Sequence, residues 1–546
     1  MKTVWNIAMR GQYGSYSTLL VLAFTAGIIT ATQPVLTGQI LQILSGNEWE
    51  AARASILLLT CVFLCELVLQ VLISLLQAHI GGRCGKKLRD HSMNLTVNSQ
   101  QGIEDILPTG EIQNRVLTDS ATAPYTFVNA APAVLRATTL LLACIVGMAF
   151  VSLMLFGIVI GLVLLTTLVV LQLSRWIRKS THLSRTDAAN YGVAVWNLLG
   201  SLKVYKSRNA EPEALRHISD KSETLRKSGI RTDISSSLVM PSLNLGTQIA
   251  LVLSIGGAMW AMTSGRLSTG EGVSFVMFML YSLSPAVELG TLISGAAQAN
   301  VAAARLIEIW NQPQEKQGSA LVPSSPKPSL VSSNLTYSYP GTELQVLNSI
   351  NMHIEGPGLY LMHGSNGAGK STFLALANGV LPAQGKIFVN GVDSSTLSRK
   401  SWRENVLLVD QQREPFHGTL RDNIGAGLDI GDNDRIQAMK RTGFIKHYQD
   451  LNLKLGDDGV ELSGGQRSLL AITDALIRKP QILLLDEISA GVDKETIPTL
   501  VTVIEQCAQQ SLVVVATHDN ILDKIPHQVI ELNDLAAGAE LRSRPL

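Results

Sequence analysis

Apolar and polar positions divide this chain in two: long runs nearly free of charge fill roughly the first 300 residues, and a mixed pattern fills the rest. A helix needs roughly 20 mostly apolar residues to cross a bilayer. Six stretches meet that requirement: Ser17–Leu44, Ala52–His79, Tyr125–Ala149, Val151–Ser174, Ser236–Thr263 and Gly272–Ala296. The third and fourth almost touch, so a tight turn near Phe150 has to separate them. The first stretch is much longer than the apolar core of a cleavable signal, and no small-residue cleavage site follows it. Ahead of it, Met1–Tyr16 carries Trp5, Ile7 and Met9 with Lys2 and Arg10. That segment reads either as a short helix lying on the membrane surface or as a frayed leader.

The segments between the apolar stretches alternate in length. Ser45–Ala51, the turn near Phe150 and Ser264–Glu271 are short, whereas about Ile80–Pro124 and Arg175–Ser235 are long and polar. The long ones hold Arg83, Lys86, Lys87, Arg89, Arg175, Arg178, Lys179, Lys203, Lys206 and Arg208, and the short ones little beyond Arg266. Lys and Arg collect on the cytoplasmic side, so the long segments and both termini are expected there. Each long segment reads as the helical continuation of a span, a turn such as Leu107-Pro108-Thr109-Gly110, and a returning helix. Asn311–Ser333, with Pro323, Pro326 and Pro328, reads as a linker. The expected layout is an all-α, six-helix transmembrane domain over 1–310, the linker over 311–333, and an α/β P-loop NTPase domain over 334–546.

Composition adds exclusions. A net charge of +1 gives no reason to expect nucleic acid as a partner. The five cysteines form no zinc-like spacing; Cys61 and Cys65, four apart, read as small packing residues on one helix face.

The chemistry sits in the last part of the chain. Gly364-Ser365-Asn366-Gly367-Ala368-Gly369-Lys370-Ser371-Thr372 fits G-x-x-x-x-G-K-[ST], between an expected strand (Leu359–His363) and an expected helix (Ser371–Asn378). Successive N–H groups of such a loop wrap phosphate at a helix N-terminus. Lys370 is expected to neutralise β/γ-phosphate charge and Ser371 to ligate Mg²⁺. Ile482–Glu487 reads as a buried strand ending in two carboxylates. Asp486 would hold the Mg²⁺ shell and Glu487 would polarise or deprotonate the attacking water.

Between these lies Leu462-Ser463-Gly464-Gly465-Gln466, preceded by Gly456-Asp457-Asp458-Gly459. It resembles the signature motif of the ATP-binding-cassette (ABC) transporters, and the whole chain is similar to their half-size members with an exporter-type membrane fold, of the lipid flippase and multidrug exporter kind. The resemblance implies further roles. Tyr339, in Tyr337-Ser338-Tyr339-Pro340-Gly341, resembles the aromatic that stacks on adenine. Gln411 resembles the Q-loop glutamine, a Mg²⁺ and water neighbour, with Gly418-Thr419-Leu420 following at the family's spacing; Gln412 is its neighbour. Asp493 resembles the D-loop aspartate and His518 the switch histidine at the γ-phosphate. In the membrane half, Thr109–Asp119 resembles the family's first cytoplasmic loop and Gly200–Lys206 its second, while Gly265–Glu271 and Ala303–Glu308 flank the last span in the family's manner. Departures occur at Ser468–Asp474, which lacks the basic residues common there, at Ile488 and Ser489, and at Asn197.

The resemblance implies two cassettes sandwiching two ATPs head to tail, with Ser463, Gly464, Gly465, Gln466 and Asp493 of one chain completing the site of the other. A homodimer suffices and a heteromeric partner stays open. Glu487, His518 and Gln411 are the expected catalytic set. Glu66, Gln70, Asn244, Gln248 and Glu288 are the candidates for a substrate path, because polar groups in a span are expensive unless they face protein or a water-filled cavity. Three readings stand at this point: ATP-driven export of an amphipathic small molecule, lipid or peptide; import on the same fold, for example of a siderophore-like chelate; and an ATP-gated regulator that pumps nothing. The intact Glu487, His518 and signature argue against the third. The compact half-transporter design suggests a bacterial plasma membrane.

Overall fold

A computed structural model describes residues 1–46, 49–100, 107, 109–315, 318–339, 342, 344–456 and 460–532. Pro108, Pro340–Gly341 and Asp457–Gly459 of the motifs above lie outside these residues. The chain forms two compact units, one from 1–90 and 115–306, the other from 91–114 and 307 onward.

In the first unit the apolar stretches are helices. After α1 (Lys2–Met9) come α2 (Tyr13–Ser45), α3 (Trp49–Val97), α4 (Ala131–Val151), α5 (Leu153–Gly200), α6 (Glu211–Ser237), α7 (Val239–Thr263) and α8 (Thr269–Trp310). Among the described residues six helices are long and apolar enough to cross a membrane. Three of them greatly outlast it: α3 has 49 residues, so at 1.5 Å per residue it is about 70 Å long against a hydrocarbon core of about 30 Å. The turn between the third and fourth spans falls at Ser152, extended at φ −158°, whose side chain caps α5 by accepting from the Leu155 N–H. The third span is entered through short α-helical pieces at Thr109–Asn114 and Ser120–Thr122 and two π-helical stretches, Arg115–Asp119 and Thr126–Ala130, and its long regular helix starts at Ala131, with Pro132 in its first turn.

Lipid offers no hydrophobic drive between helices, so close packing has to hold them together. A Cβ at Gly38 of α2 would fall on the Ser274 hydroxyl and the Gly270 carbonyl of α8, which is why only glycine lets these backbones meet. Cys144, Met148, Leu155, Ala258, Phe275 and Phe278 join α4, α5, α7 and α8 in one apolar cluster. Of the two readings of the N-terminus, the helix is realised: Val4, Ala8 and Met9 are fully buried, and Trp5 meets Tyr16 and Phe127 edge-on at 5.2 and 5.0 Å. Cys61 and Cys65 are exposed rather than packed.

The described part of the second unit is an α/β fold with two main sheets and a two-stranded ribbon. β1 (Ser329–Ser338), β2 (Gln345–Glu355), β4 (Gln384–Val389) and β5 (Val392–Asp393) form an antiparallel sheet in the order β2-β1-β4-β5. β3 (Gly358–His363), β6 (Val406–Val409), β9 (Ile482–Asp486), β10 (Leu512–Ala516) and β11 (Gln528–Glu531) form a parallel sheet in the order β11-β3-β10-β9-β6. The short β7 (Gly418–Thr419) pairs with β8 (Lys454–Leu455). Every residue of β9 and β10 is buried, as strands covered on both faces require. β1 begins at Ser329, inside the Ser/Pro-rich stretch read as linker, because its alternation of buried Leu330, Ser332, Leu335 and Tyr337 starts there.

The remaining linker is fastened rather than free. Trp310 Nε1 donates to Ser92 Oγ at 2.9 Å, the Gln100 N–H to Pro313 O at 2.8 Å and the Glu315 N–H to Asn98 O at 2.9 Å. Glu315 also pairs with Arg403, so the foot of α3, the linker and the cassette share one hydrogen-bonded seam.

Candidate functional site

Ligands of parallel sheets bind outside the carboxyl ends of the strands, and there the chain gathers its charged residues. The loop after β3 turns through Gly367 and Gly369 at φ 82° and 91°, a left-handed backbone that L side chains avoid. It feeds α9 (Lys370–Asn378), whose first N–H groups face the loop. Lys370 is buried, with Nζ donating to Gly364 O at 2.8 Å and Ser365 O at 3.2 Å and lying 3.0 Å from His518 Nε2. Burial pulls its pKa down, while Glu487 and Asp486 pull the other way.

Asp486 closes β9. Burial raises its carboxyl pKa, opposed by a hydrogen bond with the Ser371 side chain. Glu487 leaves the strand at φ 45°, a left-handed conformation that costs a non-glycine residue about 1 kcal/mol or more. Its N–H donates to Ala516 O at 2.9 Å, its Oε2 accepts from Gln411 Nε2 at 2.7 Å, and its Oε1 lies 4.0 Å from His518 Nε2. Lys370, His518, Glu487 and Gln411 thus form one polar chain across the strand ends. Tyr339, partly exposed, holds Thr372 through its hydroxyl at 3.1 Å.

The Ser371 hydroxyl and the Asp486 carboxylate are hydrogen-bonded to one another, oxygen donors of the kind a hard cation takes, and Gln411 is joined to the neighbouring Glu487. Among the described residues no group of three or more His, Cys, Asp or Glu side chains could hold a metal alone. Mg²⁺ suits such a site, since it is usually held by one or two carboxylates together with substrate phosphates.

Beyond α10 (Arg399–Asn405) and α11 (Asp432–Thr442), Ser463 caps α12 (Gly464–Arg478) through a reciprocal box with Gln466 at 3.3 and 2.9 Å. The two glycines face a turn of their own chain, tightly at Gly464 and in ordinary contact at Gly465. A Cβ on Gly464 would stand 3.2 Å from Gly491 O, and one on Gly465 would stand 3.5 Å from Asp493 Oδ2. Asp493 accepts from Thr496 N, Thr496 Oγ1 and Glu495 N, which holds its carboxyl below the usual range. The turn at Gly491–Asp493 and the α12 N-terminus therefore lie side by side. The departure at Asp474 has a local use: it accepts from the Gly425 N–H at 2.7 Å and pairs with Arg478 at 2.6 Å.

The intramembrane candidates separate. Glu66 accepts from Thr30 Oγ1 at 2.9 Å, from Gln70 Nε2 at 3.0 Å, and from Gln33. Glu288 accepts from Arg136 at both oxygens, 2.8 and 2.9 Å, joining α4 to α8. Glu66, Gln70, Arg136, Tyr281 and Glu288 line one cavity of about 350 Å³, and Asn244 lines a second cleft that shares Arg136, Ser284 and Glu288 with it. Gln248 is exposed on α7 and outside these linings. Arg136, absent from the sequence-based set, carries its own signal: a guanidinium in the middle of an apolar span. Arg413, which reaches three parts of the nucleotide site, carries none.

Residues 347–490 match the model described as ABC transporter, and residues 17–286 match that of the ABC transporter transmembrane region. The chain is 26% identical to the multidrug resistance ABC transporter ATP-binding and permease protein of Lactococcus lactis subsp. lactis, across 75% of this chain and 71% of that one. It is 26% identical to the mycobactin import ATP-binding/permease protein IrtB of Mycolicibacterium smegmatis, across 93% of this chain and 89% of that one. Identity to the ATP-dependent lipid A-core flippase of Burkholderia pseudomallei is 25%, across 60% of this chain and 56% of that one.

Proposed function

Because the chain belongs to the ABC transporter family, we propose that it works as a half-transporter, two copies clasping two ATPs and driving an amphipathic small molecule, lipid or peptide outward by alternating access. Its ATPase is coupled to transmembrane transport, and it is a multi-pass integral membrane protein. The observation that carries the reading is the polar chain Lys370–His518–Glu487–Gln411 at the carboxyl ends of the buried strands, in one polypeptide with six membrane-long helices.

Transfer of the γ-phosphoryl to water rests on positioning and charge stabilisation. The P-loop N–H groups and Lys370 hold the β/γ-phosphates, which draw Nζ from the carbonyls it now meets. Ser371 and Asp486, with Gln411 beside them, would hold Mg²⁺, which neutralises developing charge on the phosphate oxygens. Glu487 takes the proton of the attacking water, held in place by Gln411. His518 lies on the γ-phosphate side of Lys370. Tyr339 lies against adenine, and Ser463–Gln466 with Asp493 of the second copy complete the site. The cassette and both termini face the cytoplasm of a bacterial plasma membrane, and cargo occupies the cavity between Glu66 and the Arg136–Glu288 pair.

Import is the second reading, favoured by one observation: a relative aligned over 89% of its length is named for mycobactin import. Glu487→Gln in reconstituted protein is expected to keep ATP binding and lose turnover, by about a hundredfold or more. Turnover near wild type sinks the general-base role. Inside-out vesicles then decide direction: ATP-dependent accumulation of cargo inside them means export, and its absence alongside uptake by right-side-out vesicles means import.

A further inference from the structure

Glu487 is held in a left-handed backbone, and a strained residue persists only where its surroundings over-determine it. The residues immediately after Glu487 are braced from the opposite loop. Arg413, itself left-handed at φ 50°, donates from Nη1 to Ile488 O at 3.0 Å and from Nη2 to Ala490 O at 3.3 Å. The same guanidinium donates to Ser468 Oγ at 2.5 Å, and its Nε donates to Gln411 O at 3.0 Å. Ser468 is fully buried one turn into α12 and in turn donates to Gly464 O at 3.2 Å. The Arg413 N–H closes its own turn on Asp410 Oδ1 at 2.7 Å. One planar fork therefore joins three segments: the loop that carries Gln411, the turn that carries Glu487, and the helix whose first turn carries the signature glycines.

We propose that Arg413 is a positioning residue for hydrolysis, fixing the general base to the signature helix so that placement of Glu487 and presentation of Ser463–Gln466 to the second copy occur as one rigid unit. Only a guanidinium does this. It offers five N–H donors in a fixed plane, whereas a lysine is a point charge on a flexible stem. Ile488 and Ala490 are engaged through their carbonyls, so their side-chain identity is immaterial to the brace. Ser468 is engaged through its hydroxyl, which gives a use to one residue of a stretch that departs from the family pattern.

The inference rests on Glu487 acting as the base, and the test keeps the two separable. Full-length protein in lipid nanodiscs is assayed for ATP binding, KM and kcat. Arg413→Ala is expected to bind ATP near wild-type affinity while kcat falls by about ten- to a hundredfold, the cost of misplacing a group by an ångström or less. Millimolar guanidinium chloride is expected to restore part of that kcat, and equal potassium chloride none. Arg413→Lys is expected to remain defective. Should Arg413→Ala fail to assemble, Ser468→Ala removes one arm of the fork and is expected to lower kcat less steeply at unchanged KM. The proposal is overturned by a kcat for Arg413→Ala within about twofold of wild type. Loss of ATP affinity in proportion to kcat without guanidinium rescue, full recovery in the lysine variant, or an unchanged kcat in Ser468→Ala also overturns it. Glu487→Gln, measured in parallel, reports on the base alone: retained turnover there refutes the base assignment, whatever Arg413 does.

Discussion

Asp486 occupies the last position of a strand buried along its whole length, and its carboxyl pays for that place in solvation. Its pKa lies above the ordinary aspartate value of about 3.9. Between the ordinary and the raised value the folded state therefore binds more protons than the unfolded one, so the carboxyl's contribution to stability falls as pH rises through that window. Asp486→Asn is expected to abolish Mg²⁺-dependent turnover, yet leave the nucleotide-free protein with a Tm at or above wild type at pH 7.5. The gap should narrow as the pH is lowered toward the aspartate range; a lower Tm for the variant at pH 7.5 would contradict a destabilising burial of the carboxylate. The residues of this site differ in how far the sequence alone identifies them. Gly364–Thr372, Asp486–Glu487 and Ser463–Gln466 are legible because each is a local motif with strand or helix signals beside it. Gln411 and His518 need the order of motifs along the chain. Arg413 is illegible, since its partners are main-chain carbonyls and a hydroxyl 55 to 77 positions away.

At the scale of elements, the period of apolar runs marks six spans but not where their helices end. α3, α5 and α8 continue past the bilayer with polar sequence that still favours helix, and composition changes while conformation does not. The Ser/Pro composition around Pro323–Ser333 hides the opposite case, a strand beginning at Ser329. Interhelical polar contacts are equally opaque to periodicity, and the link between α4 and α8 is the clearest of them. Arg136 and Glu288 are about one-third and one-quarter exposed, 33% and 26%, at 2.8 Å. Removing one partner of a partly buried pair leaves the other charge uncompensated, whereas removing both does not. Arg136→Ala and Glu288→Ala are each expected to lower the stability of the membrane unit in detergent by about 1–3 kcal/mol, and the double variant by less than either alone. Thermal unfolding of the three variants checks it. A double variant as unstable as the sum of the singles means that the pair does not interact. Glu66 differs in kind: its hydrogen-bond partners among the described residues are the neutral donors Thr30, Gln33 and Gln70, two of them on α2 and one on its own helix.

For the whole molecule, the decisive question is where a complete hydrolytic site lies. Within one chain the bonds of Ser463 and Gln466 stay in their own cap and reach Tyr448. The glycines beside them pack on the turn of Gly491–Asp493. In the proposed dimer, head-to-tail pairing of two copies would bring the P-loop of one to that helix end of the other. Complementation tests the arrangement. Lys370→Ala damages the P-loop half of a site and Gly464→Asp the signature half, so each homodimer has two damaged sites and is expected to be inactive. In a mixed dimer with sites shared across the pair, both defects fall in one site and the other is intact. Random mixing should then recover up to about a quarter of wild-type turnover, because half the dimers are mixed and each keeps one site of two. If each chain instead closed its own site, every site in every pairing would stay damaged, and the mixture would be as inactive as its components.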